Sequence, residues 1–179
     1  MPTHLGNIAT KKTGGSMVSG AEAKYLTMPL ADICDIPVKS EIAMRDSVLF
    51  LWVTTPLKWE GFEVMKVWGF SYKTTVYWRK IMSLGMGFWF RGQVEELLVG
   101  VRGNVKAFRL QEPNFIQTKV LRHSEKPKEF RDLIERATTK MLVQTRLEMF
   151  ARYHPEGWDV FGNQVEQSIE LGEVLSDGK

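Results

Sequence analysis

The sequence predicts an α/β fold built on a mostly parallel sheet. Apolar segments of strand type alternate along the chain with segments whose apolar residues recur at helical spacing. The first strong segment, SVLFLWVT at 47–54, is almost continuously apolar and rich in β-branched and aromatic residues. It therefore reads as a central strand covered on both faces, and the helices between strands favour parallel crossovers.

The first helix is predicted directly after this strand. Thr55 and Pro56 supply an N-cap and first-turn pair. Apolar or small residues then recur at helical spacing until Gly69 ends the element, and they are Leu57, Gly61, Met65 and Trp68.

Four more strands and one more helix complete the predicted sandwich. Strands are expected at 70–78 and 95–101, and a weaker one at 115–121, with a glycine-bounded aromatic loop at 85–92. A helix begins near Pro127 and carries one apolar face, made of Phe130, Leu133, Ile134 and Ala137. A final strand is expected at 146–150.

The 179 residues most simply form one domain, and 44% hydrophobic residues support a globular chain. Residues 1–27 are rich in Gly, Ser, Thr, Ala and Lys and show no period, so they are predicted to be a flexible N-terminal loop region. The domain then spans 28–166, and 167–179 form an acidic tail.

Charge is unevenly distributed, although the formal net charge is only +3. Seven Lys and Arg residues lie between Arg102 and Lys128 against two Glu, a net of +5, and residues 156–179 carry a net of −5. A polyanion docking on one basic face and a solvated charged surface both fit this pattern.

The single cysteine, Cys34, cannot form an internal disulfide, and no His or Cys spacing suggests zinc. No apolar run approaches the roughly 20 residues of a membrane helix, and the first residues lack the apolar core of a signal peptide. A cytoplasmic protein with neither a metal nor a membrane partner is therefore expected.

The segment FARYHPEGWDVFGNQ at 150–164 reads as a strand end, a turn, an exposed aromatic and a Gly-Asn-Gln step. In α/β sheets, ligands lie beyond the carboxyl ends of the strands. A cation, an imidazole and two amides could hold a polar ligand there, namely Arg152, His154, Asn163 and Gln164. A surface loop in which His154 caps a turn and Trp158 packs as a lid remains the alternative.

Two other segments carry candidate chemistry. RHSEKP at 122–127 places cationic side chains before a helix N-terminus, which favours anions, although a helix cap with solvated charges fits as well. GMGFWFRG at 85–92 joins flexible glycines to aromatic rings and Arg91, a combination that can stack a base and hold a phosphate. A buried aromatic patch is the alternative there. No phosphate-loop or dinucleotide-binding motif occurs.

Six blocks, taken in order, carry a family resemblance, and they read AKYLTMPLADI, SVLFLWVTTP, VWGFSYKTTVYWRK, GMGFWFRGQVEELLVGVRG, RHSEKPKEFRDLIER and LEMFARYHPEGWDVFGNQ. Over roughly residues 24–166 they resemble the family that contains the catalytic subunit of the eukaryotic mRNA adenosine methyltransferase and its phage and bacterial relatives that modify adenine in DNA. The resemblance implies a Rossmann-like methyltransferase sandwich with S-adenosyl-L-methionine as cofactor. It also implies nucleic acid as partner, with DNA favoured over RNA.

The resemblance also implies residue roles. Lys126, Arg152 and His154 would contact the cofactor, Asn163 and Gln164 would hold its adenosine part, and Glu95 falls where the family places an acidic residue near the active site. The predicted contacts to nucleic acid are Arg91, Lys119 and Arg122.

One family feature does not occur in the sequence. The catalytic signature Asp-Pro-Pro-Trp, expected upstream of YLTM, is not among these 179 residues, so the fold is expected to lack its N-terminal catalytic strand. Two functions stay open: an adenine-N6 methyltransferase acting on DNA, and a catalytically inactive relative that binds nucleic acid or a partner. A homo- or hetero-dimer is compatible with both.

Overall fold

The computed structural model describes residues 3–5, 28–81, 89–108, 110–120, 125–139, 145–162 and 164–169. Its strands are β1 (Thr3–Leu5), β2 (Ser47–Thr54), β3 (Ser71–Ile81), β4 (Val94–Arg102), β5 (Phe115–Lys119), β6 (Leu147–Met149) and β7 (Asp159–Phe161). Its α-helices are α1 (Leu30–Asp35), α2 (Lys58–Val67) and α3 (Lys128–Thr139). A π-helical turn at Val38–Ile42 follows α1, and a 3-10 turn at Thr55–Leu57 leads into α2.

The seven described strands form one sheet in the order β5-β3-β4-β2-β1-β6-β7. β1 pairs in parallel with β2 and β6, β6 with β7, and β3 with β5, whereas β4 is antiparallel to both β2 and β3. β4 is therefore the reversed strand, and it makes the two longest ladders of the sheet antiparallel. The prediction of an α/β fold is confirmed. The sheet is mixed, so the prediction of a mostly parallel sheet is not confirmed.

The start of the chain differs from its prediction. Thr3–Leu5 form β1 in the interior of the sheet, where Thr3 pairs with Leu49 of β2 and with Leu147 of β6. The predicted loop over 1–27 is wrong for these three residues, and the sheet position between β2 and β6 is filled rather than lacking a strand. The physical reason is that two parallel edges can pair with a strand too short to show a period. The rest of 1–27, apart from these three, lies outside the described residues.

Side chains of β2 alternate between two cores, as the continuous apolar run predicted. Leu49, Leu51 and Val53 pack on one face with α1 and α2. On the other face, Phe50 and Trp52 pack against Phe130 and Ile134 of α3. Burying each large apolar side chain stabilises the fold by roughly 1.5–3 kcal/mol. The result is a sheet with helices on both sides.

Most element bounds agree with the prediction, but one strand is longer than predicted and two short elements were not predicted. The predicted strand at 47–54 and the helix near Pro127 are both present. β3 extends to Ile81, past the predicted end at 78, whereas α1 and β7 were not predicted. The acidic tail begins beside β7, because the backbone N–H of Ser168 donates to the Val160 carbonyl at 3.0 Å. Residues 170–179 lie outside the described part.

Candidate active site

One edge of the sheet brings together most of the predicted site residues that the structure describes. Six strands run in one direction and end at this edge, and the reversed β4 begins there. The register shows it directly, since Glu95 near the start of β4 lies opposite Thr54 at the end of β2 and opposite Trp78 of β3. Loops that follow the strands therefore meet at this edge.

Glu95 is held between two lysines. Its Oε1 accepts a hydrogen bond from Lys80 Nζ at 2.5 Å, and its Oε2 accepts one from Lys126 Nζ. The side chains of Glu95 and Lys126 are only 13% and 16% exposed, so the charges interact at the border of the core. We call Lys80, Glu95 and Lys126 the charged triad.

Electrostatics keep the carboxyl group of the triad ionised. Burial alone would raise the pKa of Glu95, but the ammonium groups of Lys126 and Lys80 outweigh it and lower that pKa. Burial lowers the pKa of Lys126, the Glu95 carboxylate opposes this, and the positive charges of Lys80 and Arg152 lower it further. Arg152 and Lys80 thus both lower the pKa of the Lys126 ammonium group.

Two tryptophan rings underlie the triad. Lys126 Nζ lies 4.8 Å from the ring centroid of Trp52 and 5.7 Å from that of Trp78, and Lys80 Nζ lies 5.0 Å from Trp78. Both rings are buried, and Trp78 Nε1 donates to Thr118 Oγ1 at 2.9 Å. A cation over an aromatic face gains about 0.5–2 kcal/mol, depending on its desolvation, so the rings help to hold both lysines.

The second half of the edge is built by β6, β7 and the loop 150–158 between them. Phe150 adopts a φ of 57°, which turns the chain sharply after β6, and Ala151 N–H then donates to the Phe161 carbonyl at 3.0 Å. At Gly162 a Cβ would lie 2.7 Å from the Ala151 nitrogen, which no side chain tolerates. Glycine therefore lets the chain carrying Gln164 leave the sheet beside the loop that carries Arg152.

His154 and Trp158 form an internal contact of that loop. His154 Nε2 lies 2.8 Å from the Trp158 carbonyl oxygen, and Trp158 Nε1 donates to Glu135 Oε1 at 2.8 Å. Trp158 is 4% exposed, so the prediction of an exposed aromatic is wrong, because α3 supplies both the apolar surface and the polar partner for this ring. The turn contact matches the surface-loop alternative for His154, and its role toward a cofactor stays a prediction.

The described site residues bring more positive than negative charge to this edge. Lys80 and Lys126 pair there with the Glu95 carboxylate, and the positive charge of Arg152 acts on Lys126. Arg152 and Gln164 are exposed at this edge. Asn163 lies outside the described residues, and its predicted role stays a prediction. The arrangement can bind an anionic group next to lysines that are held over two buried tryptophan rings.

Lys80 is the site residue that sequence reasoning missed. The sequence did contain a signal for it: Lys80 follows Trp78 by two positions, and such residues lie on the same face of a strand. It could be used only with the register of β3 on β4, since that register places Glu95 opposite Trp78.

The predicted nucleic-acid residues have different environments. Arg91 is exposed beside Trp89 and Phe90, whose side chains are 93% and 90% exposed, so the alternative of a buried patch is wrong for these two rings. Lys119 is exposed, and Arg122 lies outside the described residues. Some of the basic stretch is used internally, because Arg102 donates to the Lys39 carbonyl at 2.7 Å and Lys128 pairs with Asp132 at 3.0 Å.

The described part of the chain shows neither a group of metal-ligating side chains nor a membrane-spanning helix. No three His, Cys, Asp or Glu side chains come together there in a way that could hold a metal ion. None of the helices in the described ranges has the length and apolarity needed to cross a bilayer.

Comparison with known proteins adds independent findings. The sequence model of the MT-A70 family matches residues 7–164. The chain is 32% identical over 159 residues to the Type II methyltransferase M.MunI of Mycoplasma sp, covering 86% of this chain and 66% of that protein.

One plant protein and one animal protein are similar to this chain at nearly the same identity. The N(6)-adenosine-methyltransferase MT-A70-like of Arabidopsis thaliana is 32% identical over 163 residues, which cover 86% of this chain and 23% of that protein. The N(6)-adenosine-methyltransferase catalytic subunit of Homo sapiens is 31% identical over 155 residues, which cover 79% of this chain and 26% of that protein. The chain thus spans about two thirds of the bacterial relative and about a quarter of the other two.

Proposed function

Because this chain belongs to the MT-A70 family, we propose that it is an S-adenosylmethionine-dependent adenine-N6 methyltransferase that acts on nucleic acid, with DNA as its substrate. The observation that carries the proposal is the meeting of the charged triad with the loop 150–158 at one edge of the sheet. Relatives named as N(6)-adenosine-methyltransferases support the reaction type.

The residues at this edge fit S-adenosylmethionine chemically. Its amino-acid part ends in a carboxylate, and Lys126 and Arg152 offer positive charge for that group. Its adenosine part needs donors and acceptors at close range, which the Asn163 and Gln164 amides provide after Gly162. The approach of Gly162 to Ala151 leaves no room for a Cβ, and it brings the two halves of this binding surface together.

When bound, the cofactor would supply a methyl group on a positively charged sulfur, and that sulfur would leave as a neutral thioether when the adenine amine attacks the methyl carbon in line and loses a proton. The exocyclic amine of adenine is a weak nucleophile, because its lone pair is delocalised into the ring. The protein therefore has to accelerate transfer by positioning the amine and excluding water from it. Trp89 and Phe90, exposed beside Arg91, offer surfaces on which a base can stack.

Glu95 has a defined part in this scheme. Both of its oxygens accept hydrogen bonds from ammonium groups, and its pKa is lowered, so it is a carboxylate with little remaining basicity. It orients Lys126 toward the cofactor in this arrangement. Direct contact of Glu95 with the substrate amine requires that one of the two ion pairs opens.

DNA is proposed over RNA because the bacterial relative is a type II methyltransferase, and the chain covers a far larger share of that protein than of the adenosine methyltransferases. A second function remains, a catalytically inactive relative that binds nucleic acid or a partner. The observation in its favour is that the 179 residues do not contain Asp-Pro-Pro-Trp.

Calorimetric titration with S-adenosylmethionine tests the cofactor site. The proposal predicts one saturable site per chain, and it predicts weaker binding after Arg152→Ala, because a cation that faces the carboxylate is lost. Arg79→Ala is the matched control, since Arg79 is an exposed arginine that bonds Gln117 on β5. Absence of binding by the wild type, combined with retained binding of an adenine-containing oligonucleotide, would favour the inactive relative.

A further inference from the structure

The loop 150–158 is fastened to α3 at two points one helical turn apart. Arg131 Nη1 donates to the Tyr153 hydroxyl, and its Cζ lies 4.8 Å from the Tyr153 ring centroid. Four residues later, Glu135 accepts the indole N–H of Trp158 at 2.8 Å. The Trp158 contact closes the end of the loop, and the Arg131 contact holds its middle.

Arg131 also pairs with a residue outside the loop. Its Nη2 donates to Glu148 Oε2 at 3.0 Å, and the two side chains are only 19% and 16% exposed. Glu148 belongs to β6, so the guanidinium group joins α3, the sheet and the loop. A planar guanidinium offers several donors in a fixed fork, which allows these contacts at one time.

Tyr153 stands between two of the residues that the proposed function uses. Its neighbours in sequence are Arg152 and His154, and its own side chain is 49% exposed. Hydrophobic burial therefore contributes little to its placement, and the contact with Arg131 is what restrains it. The backbone conformation of Phe150 and the Ala151 hydrogen bond define where the loop starts.

We propose that Arg131 is a positioning residue of the cofactor site: by holding Tyr153, it orders the loop that presents Arg152 and His154. This inference rests on the proposed function of those two residues. Ordering a binding loop before the ligand arrives lowers the entropy cost of binding, so the contact should tighten binding without touching the ligand.

Tyr153→Ala removes the contact and leaves the buried Arg131–Glu148 pair intact, so the fold should survive. Tyr72→Ala is the matched control, because Tyr72 is 45% exposed and lies on β3, away from the loop. We expect Tyr153→Ala to speed amide exchange over 150–158 several-fold, while α3 stays protected. Its affinity for S-adenosylmethionine should fall about 2- to 12-fold, the equivalent of one ordinary hydrogen bond, while the control changes neither.

The two readouts separate the two claims. Unchanged exchange over 150–158 in Tyr153→Ala would overturn the positioning role, and so would faster exchange with undiminished affinity. Faster exchange in a protein whose wild type binds no cofactor would contradict the proposed function instead. Arg131→Lys should restore part of the affinity that Arg131→Met loses, because an ammonium group can still reach Glu148 or Tyr153, although not both in the same geometry.

Discussion

Gly162 approaches Ala151 so closely that a Cβ on the glycine would lie 2.7 Å from the Ala151 nitrogen. This approach sets the end of β7 beside the loop after β6. The chain that follows Gly162 therefore leaves the sheet next to the loop that carries Arg152.

Gly162→Ala should destabilise the protein by about 1–3 kcal/mol or more, because the atoms it would meet are backbone and cannot turn aside. Gly157→Ala is the comparison. A Cβ there has open space, so the only cost is that of placing a side chain on a residue with a φ of 74°. Urea unfolding of both variants checks this. A smaller loss for Gly162→Ala than for Gly157→Ala would show that the close approach is absent.

Asn163→Ala and Gln164→Ala should each weaken S-adenosylmethionine binding roughly 5- to 150-fold, because a lost hydrogen bond leaves a desolvated partner worth about 1–3 kcal/mol. The melting temperature of the free protein should stay nearly unchanged. Gln117→Ala, an exposed glutamine on β5, serves as control. Intact affinity with a less stable fold would assign both amides a structural role only.

Glu95→Gln should lower the free energy of unfolding by about 3 kcal/mol at pH 7, because it leaves the buried Lys126 without its counter-charge. Since the folded pKa of Glu95 is lowered, the stability it provides is present above its unfolded pKa of about 4.3 and is lost as pH falls through the folded value. The difference between wild type and variant should therefore shrink toward pH 3. Urea unfolding at both pH values measures it, and a constant difference would refute the linkage.

Glu112→Gln provides the matched control for that experiment. Glu112 also pairs with a cation, Arg136, at 2.7 Å, but this pair lies at the surface. Exposed ion pairs contribute little because water and salt screen them. The control should therefore unfold much like the wild type at pH 7.

Lys119→Gln combined with Arg122→Gln should flatten the salt dependence of DNA binding. Each phosphate contact contributes a slope of about 0.9 in log affinity against log salt, so loss of two contacts should reduce the slope by about 2. Lys66→Gln, an exposed lysine on α2, is the control. An unchanged slope in the double variant, measured by fluorescence anisotropy, would remove these two residues from the interface.

Long elements with a strong local pattern, either a continuous apolar run or a helical period, could be predicted from the sequence. β2 is a run of eight residues with an apolar majority, and α3 carries its apolar face at regular spacing, so local pattern and tertiary burial agree in both. β1 and β7 have three residues each, too few to establish a period, and only neighbouring strands make them strands.

The candidate site was only partly predictable for the same physical reason. Arg152 follows β6, which could be recognised as the final predicted strand, so its edge of the sheet could be expected. The triad depends on the register between β3 and β4, and the burial of Trp158 depends on α3, which lies far away in sequence. Contacts between distant segments are decided by packing and leave little trace in a local pattern.

Methyl transfer is tested most directly by mass spectrometry of adenine-containing DNA after incubation with this protein and S-adenosylmethionine that carries a trideuterated methyl group. The proposed function predicts N6-methyladenine that is three mass units heavier than the unlabelled product, formed on DNA faster than on RNA of the same sequence, and reduced by Arg152→Ala. A protein that binds both cofactor and DNA and yet leaves adenine unlabelled would contradict it.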